Sequence, residues 1–116
     1  MGYQDPSPAV RSFKVDTKPP EISGLSVSPS PMHKRGRIKL RMSETAHVVF
    51  QVRRCRDRKC RKTDKRRVVH RRLKAGSSRV GLRKRGLRPG RYVLRAVATD
   101  PAGNSSKRAI ARFRIA

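Results

Sequence analysis

Over most of this chain apolar and polar residues alternate one by one, and a period of two suits one regular structure, an extended strand with one buried face. Ile38, Leu40 and Met42 are separated by Lys39 and Arg41. Val48, Phe50 and Val52 alternate with Val49 and Gln51, and Val80 and Leu82 flank Gly81. Tyr92, Leu94, Ala96 and Ala98 alternate with Val93, Arg95, Val97 and Thr99. Ala109, Ala111, Phe113 and Ile115 close the chain, with Arg112 and Arg114 between them. Leu25 and Val27 make a short strand ahead of Ser28-Pro29-Ser30-Pro31, and Val68, Val69 and Leu73 make a weaker one inside the most basic stretch.

Turn chemistry separates these runs. Lys34-Arg35-Gly36, Ala75-Gly76-Ser77-Ser78, Arg88-Pro89-Gly90 and Asp100-Pro101-Ala102-Gly103-Asn104 carry the Gly, Pro, Asp and Asn that tight connections use. No segment sustains a helical period. The expected fold is all-β, an antiparallel sandwich of about seven strands, with inner faces sharing a core and outer faces basic. The 116 residues make one domain's worth of chain. Hydrophobic residues are 34%, with no Trp, two Tyr and three Phe, so the core is thin. Composition this polar approaches that of disordered chains. The alternation argues for a fold.

Three strings resemble a known family. Asp16-Thr17-Lys18-Pro19-Pro20-Glu21-Ile22 resembles the D-T-x-P-P-x-I opening of bacterial immunoglobulin-like repeats. Ser43-Glu44-Thr45-Ala46-His47-Val48 resembles their S-E-x-A-x-V corner. The stretch from Leu87 through Pro89, Gly90, Tyr92, Leu94, Ala96 and Ala98 to Asp100 resembles L-x-P-G-x-Y-x-L-x-A-x-A-x-D, and Ala102-Gly103-Asn104 completes the turn after it. The resemblance covers most of residues 16–116. It implies an immunoglobulin-like or fibronectin-type-III-like module of a secreted or cell-surface protein. In addition, Val10-Arg11-Ser12-Phe13-Lys14-Val15-Asp16 is similar to Ile110-Ala111-Arg112-Phe113-Arg114-Ile115-Ala116, 100 residues later, about one such domain. The expected organisation is therefore a last strand of a preceding repeat, with the start of a linker, in residues 1–16, and the sandwich domain in 17–116. Met1-Gly2-Tyr3-Gln4-Asp5-Pro6 shows no basic stretch followed by an apolar run, so no secretory leader is legible there. No apolar run approaches membrane-span length.

Charge is the second constraint. Lys and Arg number 32 against seven acids, a net of +25. Such a field attracts polyanions: anionic wall polymers, acidic polysaccharide, nucleic acid or an anionic membrane surface. The competing reading is compositional, because an arginine-heavy balance on solvated faces is what a GC-rich genome yields. The departure from the family pattern is residues 53–72. Arg53, Arg54, Arg56, Arg58, Lys59, Arg61, Lys62, Lys65, Arg66, Arg67, Arg71 and Arg72 stand there against Asp57 and Asp64, a net of +10. They read as an insertion-like basic hairpin whose arginine forks suit phosphate, sulfate or carboxylate. No Phe, Tyr or Trp lies between Gln51 and Arg91, which leaves base stacking unsupported. The expected partners are anionic wall polymer or polysaccharide and flanking repeats, with a dedicated nucleic-acid-binding protein as the alternative.

Cys55 and Cys60 are separated by four residues, about a hairpin loop's length, so they suit a disulfide across the foot of that loop. Zinc would need four ligands, and His70 alone is near. A disulfide, favoured here over metal or free thiols, places the chain outside a reducing cytosol, extracellular or at a cell surface. Catalysis has little in its favour. His33, His47 and His70 lie in different segments, the acids are scattered, and Glu44 reads as a solvated corner residue. No cofactor is expected. Asp16, Glu21, Asp100 and Asn104 offer oxygen ligands near the domain ends, where calcium often binds in β-sandwich arrays. Asp100 and Asn104 are equally explained as turn residues, and the positive field opposes a dication.

Overall fold

The computed structural model describes residues 18–116. The resemblance of residues 10–16 to the C-terminal strand falls outside them. Seven strands follow in order: β1 Ile22–Ser28, β2 Arg35–Met42, β3 Ala46–Cys55, β4 Thr63–Leu73, β5 Gly76–Arg83, β6 Gly90–Thr99 and β7 Ala109–Ile115. They form a three-stranded sheet β1-β2-β5 and a four-stranded sheet β4-β3-β6-β7, antiparallel at every pairing. The chain changes sheet after β2, β4 and β5. The result is an immunoglobulin-like β-sandwich, and each apolar run read from the sequence lies on a strand.

Alternation becomes layering. On β2, Gly36, Ile38, Leu40 and Met42 are buried while Arg35, Arg37, Lys39 and Arg41 are exposed. Val48, Phe50 and Val52 on β3 face them from the other sheet, joined by Tyr92, Leu94, Ala96 and Ala98 on β6. Small Ala96 and Ala98 let the sheets approach closely at that point. Gly36 answers another close approach: a Cβ there would collide with the Met32 side chain and sit 3.2 Å from the Ser28 carbonyl. Full burial of Phe50 alone contributes roughly 2–3 kcal/mol by area removed from water.

Two connections were not legible in the alternation. The proline-rich stretch between β1 and β2 turns inward at Met32, which is fully buried. Its amide donates to the Arg114 carbonyl and its own carbonyl accepts from the Ala116 amide, each at 2.8 Å. Met32 thereby pairs in parallel with Ile115 and seals the side of the sandwich between β1 and β7. The β5–β6 loop likewise buries Leu87 under the same end of the core.

Hydrogen bonds to the backbone close the corners. The Tyr92 hydroxyl donates to the Arg88 carbonyl at 2.6 Å, so the buried ring keeps its polar end partnered. The Ser43 amide donates to the Glu21 carbonyl and the Ser43 hydroxyl accepts from the Glu21 amide, tying the β2–β3 corner to the start of the module.

Candidate anion-binding surface

Residues 53–72 fold as a hairpin built into the four-stranded sheet. They comprise the end of β3, a seven-residue loop and most of β4, an edge strand paired with β3 from Ala46↔Leu73 to Cys55↔Thr63. The register slips once, between Val52 and Arg53. β4 carries few apolar positions; Val69 and Leu73 pack against the core, and backbone pairing to β3 holds the remainder of the strand.

The twelve basic side chains sort into two groups. Arg53, Arg54 and Arg67 are half-buried and act as struts. Arg53 donates from Nε to Thr63 Oγ1 at 2.8 Å, from one terminal nitrogen to the Thr63 carbonyl and from the other to Gln51 Oε1. Arg54 reaches the Pro89 carbonyl at 3.2 Å. Arg67 leaves β4 and donates to the carbonyls of Arg83 and Arg85, bridging the open seam between the edge strands of the two sheets. The other nine, Arg56, Arg58, Lys59, Arg61, Lys62, Lys65, Arg66, Arg71 and Arg72, are exposed.

Both acids of the segment are engaged within it. Asp57 Oδ1 accepts from the amides of Arg61 and Lys62, at 2.9 and 3.3 Å. Asp64 stands between Arg56 and Arg66, at 3.4 and 3.7 Å, in an exposed arrangement worth little to stability. The loop is also tied from outside: Arg91 donates to the Arg58 carbonyl at 3.0 Å.

Cys55 and Cys60 are disulfide-bonded, with Cα atoms 4.7 Å apart. The spacing predicts a bridge between two facing strands across the foot of the loop, and the structure places it otherwise. Cys55 ends β3, whereas Cys60 lies inside the loop in the left-handed region at φ 55°, and the strand partner of Cys55 is Thr63. The loop is seven residues long because it folds over Asp57 before entering β4, with the Arg56 amide donating to the Lys62 carbonyl.

The remaining candidates separate. His47 and His70 meet on the outer face of the four-stranded sheet, Nε2 to Nδ1 at 3.3 Å, while His33 stands in the β1–β2 connection. Asp100 is the one buried charged side chain among the described residues. Its carboxylate accepts from the Asn104 amide at 2.8 Å and from Asn104 Nδ2 at 3.1 Å, so it serves the turn. Glu21 is exposed, and Asp16 lies outside the described residues. Among the described residues no three His, Cys, Asp or Glu side chains group as metal ligands would, and no helix is long and apolar enough to cross a membrane. Arg95, at mid-β6, has its pKa lowered first by burial, then by repulsion from Arg53 and Arg108. The basic outer faces expected from the alternation include a further surface: the outward positions of β2 and β5, together with the β5–β6 loop that the alternation does not reach, bring Arg35, Arg37, Arg83, Lys84 and Arg85 together.

No family model matches the chain, and neither does any curated protein. Matches to solved structures are remote. The chain is 21% identical to β-glucosidase 3B from Thermotoga neapolitana in complex with glucose, over 84% of its own length and 17% of that chain, with a TM-score of 0.41. It is 14% identical to the β-glucosidase EmGH1 from Erythrobacter marinus, over 85% of its length and 15% of that chain, with a TM-score of 0.38. It thus spans about one sixth of the length of the solved chains it matches, and likenesses this distant carry nothing about activity.

Proposed function

We propose that the chain is a non-catalytic extracellular module, of the bacterial immunoglobulin-like or fibronectin-type-III-like kind, that binds anionic wall polymer or polysaccharide through residues 53–72. One observation carries this reading: nine exposed cations sit on one edge strand and its disulfide-tied loop, while both neighbouring carboxylates are engaged within the same segment. The field there is positive and held in a fixed shape, which suits a polymer that presents many anions at once. The disulfide supports an oxidising compartment. Recognition by charge, not by base, is supported by the aromatic rings among the described residues: Phe50, Tyr92 and Phe113 are 0%, 1% and 3% exposed, so none of these is placed to stack on a nucleobase.

The test is fluorescence anisotropy with heparin, an anionic wall polymer and two DNA duplexes of unrelated sequence, on wild type and the fourfold variant Arg56→Ser, Arg58→Ser, Arg61→Ser, Arg66→Ser. Binding to all four is expected to weaken in the variant, with the two duplexes alike. Equal binding by wild type and variant reduces the segment to a solvated face. A marked preference for one duplex favours a dedicated nucleic-acid-binding protein instead.

A further inference from the structure

Gly81 has no conformational reason to be glycine. It lies mid-β5, opposite Arg37 of β2, without the positive φ that five other glycines adopt. A glycine inside a strand destabilises by roughly 0.5–1 kcal/mol relative to alanine. It is not there to admit a close neighbour either, because nothing lies within 4 Å of where its Cβ would stand. What a side chain would take away is space.

That space is the floor of a groove of about 940 Å³, near the upper end of the range of small-ligand sites. The groove starts at Ser28 and Pro29, crosses the outer face of the three-stranded sheet over Gly81, and rounds the edge of β5 toward β4. Arg35, Arg37, Lys39 and Arg83 rim it on the sheet, and Arg67 and Arg71 reach it from β4. Seven lining side chains are Lys or Arg, and among the described residues lining it none is acidic. The Arg35↔Arg83 and Arg37↔Gly81 pairings leave a gap between arginines of β2 and β5, and Arg71 lines it from β4 of the other sheet, whereas Arg67 is committed to the Arg83 and Arg85 carbonyls. Planar guanidinium forks around such a gap match a tetrahedral oxyanion better than a lone carboxylate, since each fork takes two oxygens.

We propose that the groove over Gly81 seats a phosphate or sulfate ester group of the anionic polymer, as a shaped subsite distinct from the exposed cations of the β3–β4 loop. This deepens the polyanion-binding reading and rests on it. Its particular content is that shape, and not only charge, contributes to the grip. A chain lying across the three-stranded sheet would pass from this subsite round the β5 edge to β4, whose exposed cations it would then meet.

Gly81→Val separates shape from charge. It fills the floor, keeps every cation, and adds a β-branched residue where the strand conformation and the open space accept one. The probes are a fully sulfated disaccharide and a glycerol-phosphate trimer, followed by amide NMR. In wild type the amides of Gly81, Arg37 and Arg83 should shift saturably. In Gly81→Val affinity for at least one probe should fall tenfold or more, while the fourfold loop variant keeps it within about threefold. Loss for one probe alone identifies whether phosphate or sulfate is the natural group. Unchanged probe binding in Gly81→Val overturns the subsite, as does weakening in the loop variant equal to that in Gly81→Val. Should Gly81→Val fail to fold, Gly81→Thr, which also fills the space and keeps every cation, takes its place, with the same two outcomes. Failure of wild type to bind long heparin at all counts against the polyanion reading itself, and retained heparin binding without saturable probe shifts counts against the subsite alone.

Discussion

Tyr92 condenses the logic of this fold into one side chain. Its ring fills the core against Phe113, centroids 5.6 Å apart, and its hydroxyl returns to the backbone four residues upstream. Tyr92→Phe keeps the ring and removes the donor, so stability should drop by about 1 kcal/mol, the usual net value of one such bond. Urea unfolding at constant m would read it as a shift in midpoint, and an unchanged midpoint would mean the corner is held by packing alone. This bond was legible, because a buried tyrosine beside a Pro-Gly turn must find a partner and the nearest backbone is its own corner. The roles of Arg53, Arg54 and Arg67 were not. In sequence they are three cations among twelve. Only the folded chain shows their guanidinium groups reaching carbonyls on other segments, up to 35 residues away for Arg54 and Pro89.

At the scale of elements, the strands with alternating apolar residues were readable because burial of one face writes itself into the sequence. β4 was readable only in part. Its inward positions hold Arg67 and Arg71 as well as Val69 and Leu73, since the open seam beside β5 leaves them wet. Basic residues on an edge strand also hinder pairing with another chain. The loop after β3 shows why Cys spacing gave the bond but not its place: two cysteines with four residues between them can close a ring with one of them inside the loop and not on the facing strand. Chain-entropy reasoning for so small a ring gives about 2 kcal/mol of stabilisation at most. Asp57 and Arg91 also hold the loop, through hydrogen bonds that do not involve the bridge. Replacing Cys55 and Cys60 by Ser should therefore lower unfolding stability by roughly 1–2 kcal/mol without unfolding the domain. Denaturation with and without reductant checks this. Loss of the β-sheet signal on reduction would show that the bridge, not the sandwich, holds the module together.

For the molecule as a whole, a charge of +25 on 116 residues sets two expectations. Self-repulsion is strongest in the compact state, and raising salt from about 10 to 150 mM shortens the screening length from roughly 30 to 8 Å. The melting temperature should accordingly rise with salt, by something on the order of 5 °C, about what 1 kcal/mol provides in a domain of this size. A salt-independent melting temperature would mean that the charges are too dispersed to repel measurably. Binding should respond with the opposite sign, since every neutralised phosphate releases a counterion. The decisive measurement is the slope of log affinity against log salt for wild type and for the Arg56, Arg58, Arg61, Arg66 serine variant on duplex DNA, used as a polyanion of known charge density. The slope changes by about 0.9 per phosphate contact. A slope shallower by roughly 2–4 in the variant, with the fold retained, is what binding through residues 53–72 predicts, and parallel slopes would contradict it.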